Sequence, residues 1–222
     1  MLRIGHRGAA GYAPENTLAS IKKAVTLKVD FAELDIQATK DRQLVIFHDR
    51  RVDRLTIGKG AVEDMSLTDL RRLTLPGGHV IPTLEEGLKA AEGKVGVMLE
   101  LKVPGLVEPV LDILKRSGFS SPVIVASFFH EELLRLRRLQ PAAQTLALLV
   151  ASLVQPAAFA LDAKATHVGV AFESLSKPYV DALHKAGLTV FAFTVNEPAD
   201  IQQVAGLGVD GIISDFPDRI PK

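Results

Sequence analysis

Short apolar or β-branched runs alternate with longer amphipathic segments from one end of this chain to the other. Short apolar runs bounded by Gly or Pro are typical of buried strands, and apolar residues spaced three and four apart are typical of helices. The pattern predicts eight strands, at 2–5, 31–36, 95–101, 123–127, 145–149, 167–171, 189–193 and 211–214. Helices are predicted between them at 15–27, 84–91, 106–116, 131–139, 156–163, 177–186 and 199–204. This alternation predicts a parallel sheet of the α/β class.

Eight βα units in 222 residues leave about 28 residues per unit, which suits a small (β/α)8 TIM barrel. A doubly wound open sheet has fewer strands and a Gly-rich loop after the first one. The sequence Gly-His-Arg-Gly-Ala-Ala-Gly at 5–11 matches neither the dinucleotide fingerprint nor the Walker A pattern. We therefore predict an α/β fold, a TIM barrel formed by one domain over residues 1–222.

One interruption of the alternation follows the second predicted strand. A further extended run, 43–47, comes after the turn-like residues 39–42 and predicts a hairpin. The next segment, 49–82, is long, mostly polar and rich in Gly and Pro. Long insertions of this kind are usually functional, so we predict a short insertion subdomain at 49–82.

The composition excludes several classes of protein. The 26 basic and 26 acidic residues give zero net charge, so the chain has no global field with which to attract nucleic acid. The absence of Cys excludes a disulfide framework and a thiolate nucleophile. The longest apolar stretch, 145–154, is about half as long as a membrane span requires. We expect a soluble cytoplasmic protein without a nucleic-acid partner or a membrane span.

Charged residues stand in two strands that should be apolar. Residues two apart on a strand point to the same side, so Glu33 and Asp35 share one face, as do Glu100 and Lys102. These charges must point inward near the strand ends, where mutual repulsion and lost hydration have to be offset. Two interpretations are open: a Mg²⁺ or Ca²⁺ held by Glu33, Asp35 and Glu100, or a salt-bridge cluster in which Arg7 and Lys102 neutralise the acids.

Two histidines are predicted at the same end of the barrel. His6 follows the first strand and His48 ends the hairpin strand, and active sites of TIM barrels form at the C-terminal ends of the strands. A pair of histidines can divide the acid and base roles of a hydrolysis. Arg7 and Lys102 supply a forked and a point cation of the kind that binds a phosphate group.

These residues resemble the glycerophosphodiester phosphodiesterase family. The likeness covers nearly the whole chain and runs, in order, through His6-Arg7-Gly8-Ala9, Pro14-Glu15-Asn16-Thr17, Glu33-Leu34-Asp35, His48-Asp49, Asp53-Arg54-Leu55-Thr56, Ile81-Pro82-Thr83-Leu84, Glu100-Leu101-Lys102, Thr194-Val195-Asn196 and the segment 210–217. One departure is Phe191, where many members have a tryptophan.

The resemblance implies a TIM barrel that hydrolyses glycerophosphodiesters, small soluble substrates, to sn-glycerol 3-phosphate and an alcohol. It implies a bound Mg²⁺ or Ca²⁺ and an insertion that covers the glycerol side of the pocket. The implied roles are metal binding by Glu33, Asp35 and Glu100, acid–base catalysis by His6 and His48, and phosphate binding by Arg7 and Lys102. We assign His6 as the base and His48 as the acid.

Several alternatives stay open at this point. The nucleophile is water or the glycerol 2-hydroxyl, which would act through a cyclic phosphate. A lysophospholipase D of the same architecture and a catalytically silent phospho-ligand binding protein are the competing functions. The headgroup preference, the choice between Mg²⁺ and Ca²⁺, and the oligomeric state are not determined by the sequence.

Overall fold

The computed structural model describes residues 1–221 as a barrel of strands surrounded by helices. The strands are β1 (Leu2–Gly5), β2 (Phe31–Ala38), β3 (Leu44–Ile46), β4 (Gly96–Leu101), β5 (Val123–Ser127), β6 (Gln144–Leu149), β7 (His167–Ala171), β8 (Thr189–Phe193) and β9 (Gly211–Ser214). The helices are α1 (Leu18–Thr26), α2 (Leu67–Arg71), α3 (Leu84–Ala91), α4 (Val107–Ser117), α5 (His130–Leu139), α6 (Ala158–Asp162), α7 (Lys177–Lys185) and α8 (Pro198–Gly206). Over residues 1–221, none of these helices combines the length and apolarity needed to cross a bilayer.

All strands except β3 pair in parallel around a closed ring. The order is β1, β9, β8, β7, β6, β5, β4, β2, and β2 then pairs with β1 to close the barrel. The strand β3 is antiparallel to β2, with Ile36 opposite Ile46. The predicted TIM barrel with an insertion after its second strand is therefore confirmed. The C-terminal end of the barrel is called the mouth below.

The first helix starts later than predicted, at Leu18 instead of residue 15. The Thr17 side chain accepts a hydrogen bond from the Ser20 amide and forms a capping box, which starts the helix there. Asn16 before it has a positive φ of 57° and cannot belong to the helix. The residues between β1 and α1 are thereby free to fold across the mouth.

Apolar side chains fill both sides of the barrel wall. Ile4, Met98 and Phe191 are among those that fill the barrel interior, while Ile21, Leu34 and others pack between strands and helices. Phe191 is fully buried, so the residue that departs from the family pattern is a packing residue. Because apolar residues fill the barrel interior, the charged side chains that the strands direct inward lie at the mouth.

The insertion has an apolar cluster of its own. Its buried members are Val45, Phe47, Val52, Val62, Leu70, Leu75 and Ile81. The short helix α2, which periodicity did not predict, places Leu70 in this cluster. Through β3 the cluster is attached to the barrel wall, so the insertion holds a fixed position beside the mouth.

Candidate active site

The structure brings the seven site residues predicted from the sequence to the mouth of the barrel. His6 and Arg7 follow β1, and Lys102 follows β4. The others are Glu33 and Asp35 on β2, Glu100 on β4 and His48 just after β3. Asp35 lies directly opposite Glu100 in the parallel ladder. The strand register therefore brings the acidic residues of two strands together.

The carboxylates of Glu33, Asp35 and Glu100 form one cluster. Each offers an oxygen atom, and these atoms lie within 4.8 Å of one another. Burial raises the pKa of Glu33 well above its usual range, and the charges of Asp35 and Glu100 raise it further. The pKa of Glu100 is raised for the same reasons, burial first and Asp35 second. The cluster is a low-dielectric, electronegative site that favours a bound cation.

Two cations contact this cluster. The Lys102 Nζ lies 2.7 Å from Glu100 Oε1 and 3.4 Å from Asp35 Oδ1, and the Arg7 Nε lies 3.5 Å from Asp35 Oδ2. Burial alone would raise the pKa of Asp35, but the charges of Lys102, His48 and Arg7 and the Asn16 hydrogen bond together outweigh it and the pKa is lowered. The salt-bridge contacts considered at first are thus present. They leave one of three negative charges uncompensated.

Within the described part of the chain, one buried carboxylate oxygen of Glu33 has no partner that would offset its negative charge. Glu33 Oε2 accepts a hydrogen bond from the Arg7 amide at 2.7 Å, whereas Oε1 has no hydrogen-bond partner among residues 1–221. Leaving a buried carboxylate oxygen unpaired is costly. The donor set, three carboxylates with one free oxygen, fits a hard divalent cation such as Mg²⁺ or Ca²⁺.

The chain turns sharply after β1, and this turn aims Arg7 into the mouth. Arg7 has a φ of 49° and Gly8 a φ of 88°. A Cβ on Gly8 would lie 2.5–2.8 Å from atoms of Ser20 and Ile21 in α1, so only glycine fits there. The same loop brings the Asn16 Nδ2 within 2.7 Å of Asp35 Oδ2, which orients that carboxylate.

A carboxylate orients each histidine. The His6 Nδ1 lies 2.7 Å from Asp215 Oδ1, and the Asn196 Nδ2 donates to the other Asp215 oxygen at 2.7 Å. Burial would raise the pKa of Asp215, but the hydrogen bond and charge of His6, together with the Asn196 hydrogen bond and the charge of Arg7, outweigh it and the pKa is lowered. Asp215 therefore stays ionised and fixes the His6 ring, with the Nε2 atom left for substrate.

His48 has an equivalent arrangement in the insertion. Its Nδ1 lies 2.7 Å from Asp49 Oδ1, and the buried Gln37 amide donates to the carbonyl oxygens of Phe47 and Asp49 at 2.8 and 2.7 Å. Burial lowers the pKa of His48, although Asp35 and Asp49 partly oppose this. The neutral imidazole of His48 is therefore favoured near neutral pH.

The opposite side of the mouth is apolar. A small cavity beside His6, Glu33 and Glu100 is walled by Phe128, Phe193, Leu148, Met98, Ala126 and Ile213. The Phe128 and Phe193 rings meet edge to face, with centroids 6.1 Å apart. The site thus has a charged side on β1, β2 and β4 and an apolar side on β5, β6 and β8.

Sequence reasoning gave no role to Asp215, Asn196, Gln37 or Phe128. Asp215 and Phe128 each stand just after a predicted strand, at 211–214 and 123–127, which is the same positional signal that identified His6. Gln37 carried no signal, because its partners are carbonyl groups that only the folded hairpin brings near it.

Comparisons with known proteins agree with this geometry. The model of the glycerophosphoryl diester phosphodiesterase family matches residues 6–219. The chain is 39% identical to the Bacillus subtilis protein YhdW, covering 100% of this chain and 97% of that protein. It is 34% identical to a glycerophosphodiester phosphodiesterase of Caldanaerobacter subterraneus, covering 99% and 96%.

A solved structure has the same fold. An Oleispira antarctica phosphodiesterase, in complex with the product sn-glycerol-3-phosphate, superposes with a TM-score of 0.93 at 27% identity and covers 99% of this chain and 95% of that one. The family match and the two relatives above 30% identity confirm the resemblance predicted from the sequence motifs. The chain therefore belongs to the glycerophosphoryl diester phosphodiesterase family, a family of hydrolases.

Proposed function

We propose that this protein hydrolyses glycerophosphodiesters to sn-glycerol 3-phosphate and an alcohol, by acid–base catalysis of His6 and His48 beside a divalent cation. One observation carries the proposal: two buried polar atoms of the same site, Glu33 Oε1 and Arg7 Nε, make no hydrogen bond among residues 1–221, although the Arg7 Nε lies 3.5 Å from Asp35 Oδ2. One is an acceptor suited to a cation and the other is a donor suited to a phosphate oxygen. The product held by the Oleispira relative supports the same ligand class.

Glu33, Asp35 and Glu100 are the residues that would hold the cation, either Mg²⁺ or Ca²⁺. Their oxygens converge within 4.8 Å, and all are hard donors of the kind both ions prefer. When bound, the ion would stabilise negative charge on the phosphoryl group. It would also offset the burial and the repulsion between carboxylates that raise the pKa of Glu33 and Glu100.

Arg7 and Lys102 would bind the nonbridging oxygens of the phosphodiester. The Arg7 Nη1 is held by Glu15 Oε1 at 2.6 Å, which leaves the Nε edge of the guanidinium facing the site. Lys102 is fixed by Glu100 and Asp35. Both cations are thus positioned before substrate arrives, so they can stabilise charge that develops in the transition state without further reorganisation.

His6 and His48 would transfer the two protons of the reaction. In each ring Nδ1 faces a carboxylate, so Nε2 is the atom available to the substrate. The lowered pKa of His48 favours its neutral form, which a base needs. We therefore propose His48 as the base and His6 as the acid, the reverse of the order assigned from the sequence.

The apolar side of the mouth favours a second candidate, hydrolysis of diesters whose alcohol carries a lipid chain. Phe128 and Phe129 are 43% and 44% exposed, and Val150 and Val154 in the loop after β6 are 65% and 102% exposed. A lysophospholipid could place its acyl chain on this surface. Comparing the turnover of glycerophosphocholine with that of lysophosphatidylcholine decides between the two candidates.

The function is tested by product release from glycerophosphoethanolamine, glycerophosphocholine and glycerophosphoglycerol. We expect sn-glycerol 3-phosphate from at least one of them, with activity lost in excess EDTA and restored by Mg²⁺ or Ca²⁺. Full activity in EDTA would contradict the metal assignment. Binding of sn-glycerol 3-phosphate without hydrolysis of any diester would identify a silent phospho-ligand binding protein instead.

A further inference from the structure

Arg54 lies in the insertion, within the helical turn Val52–Arg54, and has no place in the chemistry described above. Its guanidinium is bound by two carboxylates from different parts of the chain. The Nε and Nη2 atoms donate to the two oxygens of Asp49 at 2.6 and 3.0 Å. The Nη1 and Nη2 atoms donate to the two oxygens of Glu15 at 3.0 and 2.7 Å. Two edges of the planar guanidinium group therefore each bind one carboxylate.

Each of these carboxylates also holds a residue of the active site. Asp49 Oδ1 lies 2.7 Å from the Nδ1 atom of His48, and Glu15 Oε1 accepts from the Arg7 Nη1 at 2.6 Å. Arg54 is therefore linked to His48 through Asp49 and to the phosphate-binding Arg7 through Glu15. Without it, two carboxylates would face each other across the mouth with less positive charge between them.

The electrostatics of both carboxylates depend on Arg54. Its hydrogen bonds are the first cause that lowers the pKa of Asp49 to about 2, and the hydrogen bond from His48 adds to them. Burial would raise the pKa of Glu15, but the hydrogen bond from Arg54 is the first of several interactions that outweigh it. Both groups stay ionised, so both keep accepting hydrogen bonds from the site residues that they orient.

We propose that Arg54 is a positioning residue that holds His48 and Arg7 in their working orientations by clamping Asp49 and Glu15 together. The proposal rests on the catalytic roles given to His48 and Arg7 under the proposed function. It assigns a task to the motif Asp53-Arg54-Leu55-Thr56, to which no role had been given. It also explains how an insertion outside the barrel keeps a fixed position relative to residues in the loop after β1.

The clamp is expected to matter for turnover much more than for folding. The Arg54 side chain is 47% exposed, and ion pairs at such positions contribute only about 0–1 kcal/mol to stability. Removing the outer groups that orient the histidine ligands of a metal, in contrast, changes activity by about 10- to 100-fold, and we expect a loss of the same order when Arg54 no longer holds the carboxylate that orients His48. A large loss of turnover with little loss of stability is the signature of a positioning role.

The first test compares Arg54→Gln and Arg54→Lys with a control, Arg51→Gln. Arg51 is in the same segment, pairs with Asp53 and is 59% exposed. For Arg54→Gln we expect kcat to fall about 10- to 100-fold with an unchanged Tm. Arg54→Lys should recover only part of this loss, since a point charge cannot hold both carboxylates in a fork. Arg51→Gln should stay within about twofold of the native enzyme.

The second test repeats Arg54→Gln in a His48→Ala background. If Arg54 acts on kcat partly through His48, its kcat penalty should become smaller there, where only the part exerted through Arg7 remains. In the same background, Arg54→Gln should still weaken the binding of sn-glycerol 3-phosphate, because this effect is exerted through Arg7. Calorimetry measures the binding. Glu15→Gln should weaken that binding and also lower kcat through Arg7, whereas Asp49→Asn should lower kcat and leave the binding close to native.

Three results would overturn the proposal. They are a native kcat and native product affinity in Arg54→Gln, the same kcat penalty with and without His48, and equal losses in Arg54→Gln and Arg51→Gln. A native protein that hydrolyses no diester would contradict the proposed function instead. In that case the Arg54 clamp is judged by sn-glycerol 3-phosphate affinity alone, with Arg54→Gln expected to bind more weakly than Arg51→Gln.

Discussion

Glu33 is the residue at which burial and charge conflict most strongly. It is 3% exposed, it shares its site with two other carboxylates, and one of its oxygens is unpaired among residues 1–221. A folded-state pKa raised above its ordinary value of 4.5 means that the native state binds a proton more tightly than the unfolded state. The metal-free protein therefore loses stability as the pH rises from the unfolded-state pKa of Glu33 to its raised folded-state pKa.

Replacing Glu33 with Gln should stabilise the metal-free protein and abolish metal binding. The neutral amide removes the buried charge, so at pH 7 to 8 we expect Tm to rise by about 2 °C or more. Thermal unfolding in EDTA across this pH range measures the effect, with exposed Glu131→Gln as the control. An unchanged or lower Tm in Glu33→Gln alone would show that the carboxylate is not under electrostatic strain.

The order of the two histidines can be determined from the leaving group. A departing p-nitrophenolate needs no proton, whereas a departing choline alkoxide does. With glycerophosphocholine, His6→Ala and His48→Ala should each lower kcat by about 100-fold or more. With the p-nitrophenyl ester of glycerol phosphate, we expect His6→Ala to recover most of its activity and His48→Ala to stay slow.

Recovery by His48→Ala instead of His6→Ala would support the order first assigned from the sequence, with His6 as the base and His48 as the acid. Equal losses on both substrates would mean that neither histidine protonates the leaving group. Near-native turnover of both variants on both substrates would remove the acid–base pair from the mechanism altogether.

At the scale of elements, β3 connects the insertion to the chemistry. The strand pairs with β2, which carries Glu33 and Asp35, and it leads directly into Phe47 and His48. Phe47 is fully buried in the cluster of the insertion, and its carbonyl accepts from Gln37 on β2. The position of His48 therefore depends on how the insertion packs as well as on the barrel.

Phe47→Ala should cost both stability and turnover. Loss of a fully buried phenyl ring costs about 3–5 kcal/mol, and the loosened segment should lower kcat even at temperatures where the protein stays folded. Urea unfolding and kcat at low temperature measure the two effects. Phe119→Ala is the control, because Phe119 is a partly buried phenylalanine that packs against the core between strands and helices and not in the insertion. A native kcat in Phe47→Ala would separate the insertion from catalysis.

At the scale of the whole molecule, a chain without net charge places a cluster of buried and half-buried charged groups at the mouth of the barrel. The raised pKa values of Glu33 and Glu100 imply that a cation must displace protons on binding. Metal affinity and the stability that it adds should therefore weaken as pH falls. At 100 times its Kd, the ion should add about 2.7 kcal/mol to the free energy of unfolding.

Calorimetry of Mg²⁺ and Ca²⁺ binding in two buffers with different ionisation heats counts the protons released. We expect net release near neutral pH, a smaller gain in Tm from metal at pH 5.5 than at pH 8, and no gain in Glu33→Gln. Binding without proton release would mean that the three carboxyls are already ionised in the metal-free protein.

The strand and helix pattern determined the barrel, because every strand faces apolar neighbours on both sides and so shows as a short apolar run between amphipathic helices. For the same reason the sequence indicated a charged site, because charges in such runs can lie only at the strand ends. The residues concerned are Glu33, Asp35, Glu100 and Lys102. His6, Arg7 and His48 were visible through their places after strands, and the family likeness gave them roles.

Tertiary structure alone decided the contacts between distant segments. Asp215 reaches His6 from 209 residues away, and Arg54 reaches Glu15 from 39 residues away. Hydrogen bonds of this kind leave no periodic trace in the sequence, because either partner is an ordinary polar residue of a loop until the barrel closes. The fold and the candidate catalytic groups could thus be predicted from local patterns and the family likeness, whereas the groups that hold them in place depend on how loops from opposite ends of the chain meet at the mouth.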